Sequence, residues 1–153
     1  MGDVEFREPL AHECDAITEL CMRSKAVWRY DSAFMELCRP ELTATPEQLD
    51  AHYWRCAIVD GAIIGVVELV VHQDTATLEK LFVDPNDMVS GVGRQLMCMA
   101  QRHAIASGAS KIEIDADPGA VPFYEKLGAH CTGEVESESI PGRMLPKLIL
   151  NLA

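Results

Sequence analysis

Two glycines, Gly91 and Gly93, stand shortly after an apolar segment that ends at Asp84-Pro85, and they open an amphipathic stretch. A strand that runs through a short loop into a helix leaves backbone N–H groups unpaired at the positive end of the helix dipole. Such a helix start is a binding site for phosphate or pyrophosphate. The sequence therefore predicts that residues 82–94 bind a phosphorylated ligand.

Two familiar phosphate loops fit this pair of glycines poorly. A P-loop requires Gly-Lys-Ser/Thr, whereas Gly93 is followed by Arg94 and Gln95. A dinucleotide-binding fingerprint requires a third glycine, and Leu96 occupies that position. The loop also follows three strands in antiparallel order instead of opening a βαβ unit. Both alternatives are therefore disfavoured, and another type of phosphate site is expected.

The composition predicts one globular domain that spans residues 1–153, because the chain is long enough to bury a core. The sequence has 13 basic and 24 acidic residues, which give a net charge of −11. This charge argues against nucleic acid as a partner, since a nucleic-acid-binding surface is basic. The acidic surplus is compatible with a cationic or amine substrate, although such a surplus most often serves solubility.

The sequence shows no feature of export, membrane insertion or metal binding. The N-terminus lacks the basic and apolar regions of a signal peptide, and no run approaches the ~18 apolar residues of a membrane span. The six cysteines form no Cys-x-x-Cys pair, and their spacing to the five histidines indicates no zinc site. We therefore expect a cytoplasmic protein with reduced thiols, no metal and no membrane partner.

Hydrophobic periodicity and turn residues predict an α/β fold whose mixed central sheet is flanked by helices, in the order β-α-α-β-β-β-α-β-α-β-β. A hairpin at Asp60-Gly61 joins antiparallel strands, and the crossover helix after residue 90 joins parallel strands. The predicted helices are Cys14–Trp28, Phe34–Cys38 ended by Pro40, Gly91–Ser107 and Val121–Leu127, with a further helix start at Thr45-Pro46. The predicted strands are Val4–Arg7, Trp54–Val59, Ala62–Val71, Thr75–Val83, Lys111–Asp115, Cys131–Val135 and Lys147–Leu150.

Three blocks of this sequence resemble the GNAT N-acetyltransferase superfamily. Residues 83–93 are similar to its acyl-CoA loop, in which V-x-P is followed by Gln/Arg-x-x-Gly-x-Gly/Ala. Residues 117–129 resemble a second motif with the order Asp-x-x-Ala-x-x-Phe-Tyr-Glu-Lys-Leu-Gly-Ala, and residues 139–146 resemble the last segment of many small members. The order and spacing of the blocks span most of the chain. Met88 departs from the pattern, because the superfamily usually carries Gln or Arg there.

The resemblance implies a GNAT-like sheet and acetyl-CoA as the acyl donor. It places the pantetheine arm along the strand at residues 78–83 and the pyrophosphate on backbone N–H groups of the glycine loop. Methionine at position 88 cannot donate a hydrogen bond to the pyrophosphate, so that bond is absent or comes from another residue, for which Arg94 is the candidate. The implied donor-binding residues are Leu81, Phe82, Val83, Val89, Ser90, Gly91, Val92, Gly93, Arg94, Asp117, Ala120 and Phe123.

Tyr124 is the first catalytic candidate that the resemblance implies. Its phenol would protonate the departing thiolate, since an ordinary phenol pKa near ~10 suits a thiolate of comparable basicity. The backbone N–H near Phe82 would polarise the thioester carbonyl. The ordinary alternative for Tyr124 is a helix tyrosine that packs beside Phe123.

A base is also expected, because an amine arrives mostly as ammonium. Glu79 is the first candidate: simple strand alternation places it on the face of Thr77, Leu81 and Val83, where apolar neighbours would raise its pKa. Glu68 is the second candidate, because it interrupts an otherwise apolar strand. A solvent-facing role for either carboxylate, and a water chain without a single base, stay open.

The acceptor pocket is expected in the N-terminal half, where Trp28, Tyr30 and Arg39 could line it or merely pack the helices together. Residues 139–143 are a candidate flap, because their glycine and proline favour a loop. The resemblance also permits a homodimer, although the sequence shows no interface.

The resulting hypothesis is an N-acetyltransferase that moves acetyl from acetyl-CoA to an amine, on a small molecule rather than a protein. Attack would be direct in a ternary complex, since neither Cys98 nor Cys131 has a signalled histidine partner for an acyl-enzyme. The alternative is a non-catalytic acyl-CoA-binding sensor or partner-interaction domain with the same fold.

Overall fold

Five α-helices and seven strands make up the part of the chain that the computed structural model describes, which is residues 3–152 apart from the side chains of residues 88–90. The helices are α1 (Cys14–Ala26), α2 (Ser32–Leu42), α3 (Pro46–Ala51), α4 (Val92–Ala106) and α5 (Val121–Lys126). The strands are β1 (Glu5–Arg7), β2 (Tyr53–Val59), β3 (Ala62–His72), β4 (Thr75–Val83), β5 (Lys111–Asp115), β6 (His130–Glu136) and β7 (Met144–Asn151). Short 3-10 turns lie at Ala11–Glu13, Pro85–Ser90 and Pro118–Ala120. No helix within residues 3–152 has the length and apolar character to cross a membrane.

The strands form one sheet in the spatial order β1-β2-β3-β4-β5-β7-β6. Among the described strands only β4 and β5 pair in parallel, and α4 makes the crossover between them. The other described pairs are antiparallel, including the β2–β3 hairpin at Asp60-Gly61. The predicted α/β fold with a mixed sheet flanked by helices is therefore confirmed.

Helices cover both faces of the sheet. On one face, α4 buries Val92, Leu96 and Ala100, which recur every fourth residue and therefore form one apolar stripe. On the other face, α1 buries Ile17 and Leu20 in a second core that includes residues of α2, β2 and β3. Because the central strands are covered on both sides, they have the long apolar runs seen in the sequence.

A β-bulge interrupts β4 at Glu79. On β3, Glu68 pairs with Lys80 and the next residue, Leu69, pairs with Leu78, so Glu79 is an extra residue without a partner on β3. An extra residue in one strand bends that strand and increases its local twist. The bulge therefore changes the direction of the second half of β4.

The bulge also changes the alternation of side chains along β4. Leu78 lies in the core under α4, and Leu81 packs against the same core although it is an odd number of residues further on. The predicted uninterrupted alternation from Thr77 to Val83 is therefore wrong. A register shift depends on the partner strand, which the sequence of β4 alone does not contain.

Beyond the bulge, β4 and β5 diverge. Their parallel pairing ends at Leu78 and Ile114, whereas β4 continues to Val83. On its other side, β5 stays paired with β7 as far as Asp115. The divergence opens a gap in the sheet beside the second half of β4.

The proline in α2 does not end that helix as predicted. α2 continues through Pro40 to Leu42. Pro40 is exposed, so the carbonyl of Glu36, which loses its hydrogen bond to the missing N–H, can bond to water. The last turn is completed by Thr43 Oγ1, which donates to the carbonyl of Arg39 at 2.7 Å.

The predicted element list was incomplete at two other places. The helix start at Thr45 gives α3, which the predicted order omitted; Thr45 Oγ1 accepts from the N–H of Gln48 at 3.3 Å, and Gln48 Oε1 accepts from the N–H of Thr45 at 3.1 Å. β7 begins at Met144 rather than Lys147, because its first residues pair with β6.

Candidate active site

A cavity of about 310 Å³ fills the gap between β4 and β5. Residues 78–83 of β4 form one wall, and residues 114–117 at the end of β5 form the opposite wall. The ends of α1 and α2 and the segment between β6 and β7 enclose the remaining sides. Because β4 has no strand partner on this side beyond Leu78, its backbone polar groups there are available to a ligand.

The start of α4 forms one end of this cavity. Gly91 precedes the helix with a φ of +79° and contributes no side-chain cap. The first helical hydrogen bond runs from the N–H of Gln95 to the carbonyl of Gly91 at 3.1 Å, so the N–H groups of residues 92–94 have no acceptor within the helix. No acidic residue stands in the first turn, and Arg94 lines the cavity there. This end therefore has the donors and the charge to hold an anion.

The residues predicted to bind a donor are largely brought together here. Those that line the cavity are Leu81, Phe82, Val83, Gly91, Gly93, Arg94, Asp117, Ala120 and Phe123. Val92 instead lies in the core at 1% exposure, so only its backbone can contribute. The side chains of Val89 and Ser90 lie outside the described residues, as does that of Met88.

Tyr124, in α5, is 7% exposed and lines the cavity, with its ring edge-on to Phe123 at 5.2 Å between centroids. Its hydroxyl has no hydrogen-bond partner among the described residues. Every fully buried polar side-chain atom that the structure describes has such a partner, so the Tyr124 hydroxyl is not fully buried. The hydroxyl therefore opens into the cavity. Burial raises the pKa of Tyr124, and the charge of Asp117 raises it further. The phenol accordingly keeps its proton at neutral pH.

The two glutamates predicted as bases lie in different surroundings. Glu79 lines the cavity at the bulge, where partial removal from water and the charge of Glu68 raise its pKa above the usual carboxyl range. Glu68 is 1% exposed and does not line the cavity. Its carboxylate binds Lys80 Nζ at 2.9 Å and His52 Nδ1 at 2.6 Å. The structure therefore brings Glu79, and not Glu68, to the cavity.

A charged cluster around Asp117 closes the cavity on the helix side. Asp117 Oδ2 accepts a hydrogen bond from the hydroxyl of Tyr30 at 2.8 Å and lies 3.5 Å from Lys25 Nζ and 3.7 Å from Arg143 Nη2. Arg143 also donates to the oxygen of Tyr30 at 2.7 Å. Burial and Asp117 raise the pKa of Tyr30 to about 12, so this hydroxyl stays a donor. The cluster ties three distant segments together.

The other two residues predicted for the acceptor pocket, Trp28 and Arg39, lie in different places, and only Trp28 lines the cavity. Trp28 lines the cavity, and its ring packs so tightly on Gly119 that a Cβ there would lie 2.7 Å from ring carbons. Arg39 does not line the cavity; it binds Glu19 at 2.7 Å and Glu36 at 3.3 Å on the outer surface of the helices. The structure therefore leaves Arg39 outside the candidate site.

Several lining residues were not predicted from the sequence, among them Glu41, Lys80 and Asp115. Asp115 had a usable signal, because it ends a strand of a parallel pair and ligands bind at the carboxyl ends of such strands. Glu41 had none, because it comes from α2, which reaches the cavity only through tertiary packing.

The sequence matches a known family, described as the acetyltransferase (GNAT) domain, over residues 22–140. The PaiA N-acetyltransferase of Thermoplasma acidophilum, solved in complex with coenzyme A, has a TM-score of 0.81 at 16% identity, with 97% of this chain and 99% of that chain covered. The ribosomal-protein-S18-alanine N-acetyltransferase of Escherichia coli has a TM-score of 0.72 at 16% identity, with coverages of 99% and 95%. An aminoglycoside 6'-N-acetyltransferase complexed with coenzyme A has a TM-score of 0.72 at 14% identity, with coverages of 99% and 97%.

Likeness at these identities shows a shared fold. Among curated proteins, none matches the sequence significantly. The family match, however, covers well over half of the chain. The chain therefore belongs to the GNAT family of acetyltransferases.

Proposed function

We propose that this protein transfers acetyl from acetyl-CoA to an amine group of a small molecule. One observation carries the proposal: a single cavity joins the uncapped start of α4, where an anion can bind, to the hydroxyl of Tyr124 and the carboxylate of Glu79. Two structures that share the fold, those of the PaiA N-acetyltransferase and the aminoglycoside 6'-N-acetyltransferase, are complexes with coenzyme A, which supports the same donor here.

The described residues fit such a donor. The N–H groups of residues 92–94 and the guanidinium of Arg94 would hold its diphosphate, and the free backbone of β4 near Phe82 would bind its extended arm. When bound, acetyl-CoA supplies an activated acetyl group: an N–C bond forms on the amine, the C–S bond breaks, and a thiol leaves. The contacts to the diphosphate come mainly from the backbone, so they do not require a particular side chain at Met88.

Two side chains handle the protons. Glu79 accepts one proton from the acceptor ammonium, and its raised pKa makes it a better base near neutrality than an ordinary carboxylate. Tyr124 holds a proton on its Oη in the same cavity, where it can be passed to a leaving thiolate. The second proton that the amine loses restores the phenol. Glu68 is a weaker candidate, because one of its oxygens already binds the ammonium of Lys80 and the other is hydrogen-bonded to the ring of His52.

Direct attack on the donor is favoured over an acyl-enzyme. Cys38 is the one cysteine among the described residues that line the cavity, and it is 1% exposed. Burial raises the pKa of its thiol, which makes the reactive thiolate scarce. Cys98 and Cys131 are exposed and do not line the cavity.

A small acceptor is favoured over a folded protein. The hydrogen bond between Tyr30 and Asp117 and the packing of Trp28 on Gly119 close the cavity between the α1–α2 connection and the turn before α5. Arg143, from the segment before β7, adds a further tie across the same opening. The cavity of about 310 Å³ must also admit the acetyl end of the donor, so little room remains for a large chain.

The test is thiol release from acetyl-CoA with a panel of primary amines, with the acetylated product identified by mass spectrometry. We expect Tyr124→Phe to lower kcat at least about tenfold without changing the affinity for coenzyme A, because only proton transfer is lost. Tyr53→Phe is the matched control, since the Tyr53 hydroxyl lies outside the cavity. Binding of coenzyme A without turnover of any amine would favour an acyl-CoA sensor instead.

A further inference from the structure

The charges of the cavity are sorted between its two ends. The end at the start of α4 carries Arg94 and no acidic residue in the first helical turn. The second end, away from the start of α4, carries Glu41 from α2, Glu79 from the bulge of β4 and Asp115 from the end of β5. The other charged residues of the lining already form ion pairs, and they are Lys25, Lys80, Asp117 and Arg143. A negative ligand group and a positive one are therefore accommodated at opposite ends of one cavity.

The three carboxylates at the second end have no ion-pair partner among the described residues, whereas the nearby cations do have one. Glu41 accepts a hydrogen bond from the hydroxyl of Ser139, which is neutral. Each neighbouring cation is already bound elsewhere: Lys25 and Arg143 to Asp117, Lys80 to Glu68, and Lys147 to Glu113. This end of the cavity therefore lacks free positive charge to match its acids.

Two of these carboxylates, those of Glu41 and Asp115, are also close enough to repel one another. Partial burial raises the pKa of Asp115, and the charges of Glu113 and Glu41 add to that shift although Lys147 opposes it. Partial burial also raises the pKa of Glu79, where the like charges that add to the shift are those of Glu68 and Glu138. A cation placed among these carboxylates would offset both their partial removal from water and the repulsion from neighbouring negative charges.

A second, independent feature marks the same cavity as a site for a ligand. Tyr124 is 7% exposed, and its hydroxyl opens into the cavity without a hydrogen-bond partner among residues 3–152. A nearly buried polar group of this kind ordinarily has a partner. Such a partner is supplied here by whatever occupies the cavity.

We infer that the acceptor is a small diamine or polyamine, whose second ammonium binds between Glu41 and Asp115 while Glu79 faces the amine that reacts. A monoamine has one charge and satisfies one of the three carboxylates, whereas a linear diamine can reach two positions at once. The inference rests on the proposed acetyl transfer. The net charge of −11 acts in the same direction, because it attracts polycations from solution.

The experiment compares three amines of similar length: 1,4-diaminobutane, butylamine and 4-aminobutanoate. We expect kcat/KM for the diamine to exceed that for butylamine about tenfold, since two partly exposed ion pairs together contribute on that order. The preference should shrink as salt is raised, because partly exposed charges are screened. 4-Aminobutanoate should fall below butylamine, because its carboxylate meets two others.

Variants locate the second ammonium. Glu41→Gln and Asp115→Asn should each lower the ratio of the diamine to butylamine, and the double variant should bring it close to one. Both residues are exposed at the cavity rim, so folding should be retained. Glu36→Gln is the matched control, because Glu36 lies on the same helix but binds Arg39 outside the cavity. An unchanged ratio in the double variant would overturn the assignment of these two residues.

The outcomes separate this inference from the proposed function. Equal turnover of diamine and butylamine overturns the inference and leaves acetyl transfer standing. Turnover of a lysine-containing peptide alone also overturns it, in favour of a protein acceptor. If no amine reacts, the inference fails. Calorimetry then measures whether the protein still binds coenzyme A, which tests the donor site separately.

Discussion

The two ends of the cavity are built in different ways. The end proposed to bind the donor is centred on one continuous segment, residues 82–94, and it offers mainly backbone N–H groups at the start of α4. The end proposed to bind the acceptor is assembled from side chains of separate segments, with Glu41, Glu79 and Asp115 among them. A backbone site is fixed by turns and helix starts and tolerates changes of side chain, whereas a side-chain site exists only once distant segments have packed together. Substitutions should therefore act differently at the two ends.

The largest expected effect is on the buried charges beneath the acceptor end. Lys80 has 4% of its side chain exposed, and its ammonium depends on Glu68 at 2.9 Å. Glu68→Gln would leave that ammonium buried without a counter-charge, so we expect the free energy of unfolding to fall by about 3–5 kcal/mol. Urea denaturation measures the change.

A matched control is Glu113→Gln, whose partner Lys147 is partly exposed at 3.5 Å and whose loss should cost less than about 1 kcal/mol. If Glu68→Gln were as harmless as this control but abolished the acidic limb of the pH–rate profile, Glu68 rather than Glu79 would be the base. The acceptor end would then extend deeper than the cavity lining indicates.

The next largest effect should come from the donor end. Gly91 has a φ of +79°, a conformation that costs a residue with a side chain about 1–2 kcal/mol and is worst for a β-branched one. Gly91→Val would therefore shift the first turn of α4, and we expect the Kd for coenzyme A to rise about 30-fold, a change of about 2 kcal/mol. Isothermal titration calorimetry measures it.

Gly108, at the other end of α4, has a similar φ of +90° and supplies a control for backbone strain. Gly108→Val should lower the melting temperature to a comparable extent while the Kd for coenzyme A changes less than about twofold. Equal losses of affinity in both variants would mean that Gly91 acts through stability alone, and the donor end would no longer be a local backbone site.

A smaller effect, about tenfold, is expected from the base. A base must be deprotonated to work, so kcat/KM should increase with pH through the pKa of Glu79, which burial and Glu68 hold above the ordinary carboxyl range and Lys80 partly lowers. The charges of Glu138 and His52 act on Glu79 in opposite directions. The ammonium of the acceptor titrates separately, near ~10, so the two limbs can be resolved.

Glu79→Gln should remove the lower limb and reduce kcat/KM about tenfold near neutral pH, with the affinity for coenzyme A unchanged. Glu125→Gln, on the exposed side of α5, is the control. A lower limb that survives in the Glu79 variant would indicate a water chain without a single base, one of the alternatives that the sequence left open.

Most of the donor end was predictable, because its signals are local. The apolar run before Asp84, the glycines and the amphipathic stretch of α4 follow one another directly in the sequence, and each obeys a rule of turn or helix geometry. The hairpin at Asp60-Gly61 was predictable for the same reason. The parallel pairing of β4 with β5 then followed from the crossover helix, whereas the position of β7 between β5 and β6 was not predicted.

The acceptor end was predictable only in part, because its geometry depends on pairs of segments. The bulge at Glu79 arises from the register of β4 with β3. A lysine such as Lys80 is expected at the surface, and only its pairing with Glu68 on β3 explains why it is buried. Arg39 lies close in sequence to the pocket-lining residues of α2, yet it points to the outer surface. Pro40 predicted the end of α2, but the helix continues because the carbonyl that loses its hydrogen bond there is exposed to water.

The smallest effect is expected where the two ends meet, at Asp117. Tyr30→Phe removes the hydroxyl that donates to Asp117 at 2.8 Å and accepts from Arg143 at 2.7 Å, but keeps the ring stacked on Phe34 at 4.1 Å. Each of these two hydrogen bonds contributes about 0.5–1.5 kcal/mol. Because Lys25 and Arg143 keep their ion pairs with Asp117, we expect the KM for the amine to rise only about threefold. Steady-state kinetics with Tyr53→Phe as the control measures the change.

The affinity for coenzyme A decides what this change means. The resemblance places Asp117 beside the donor, whereas its contacts in the structure join it to Tyr30, Lys25 and Arg143 on the acceptor side. If Asp117 mainly orders the acceptor end, Tyr30→Phe leaves the Kd for coenzyme A within about twofold while the KM for the amine rises. If both constants rise together, Asp117 contributes to binding at both ends, and the backbone site and the side-chain site share this one carboxylate.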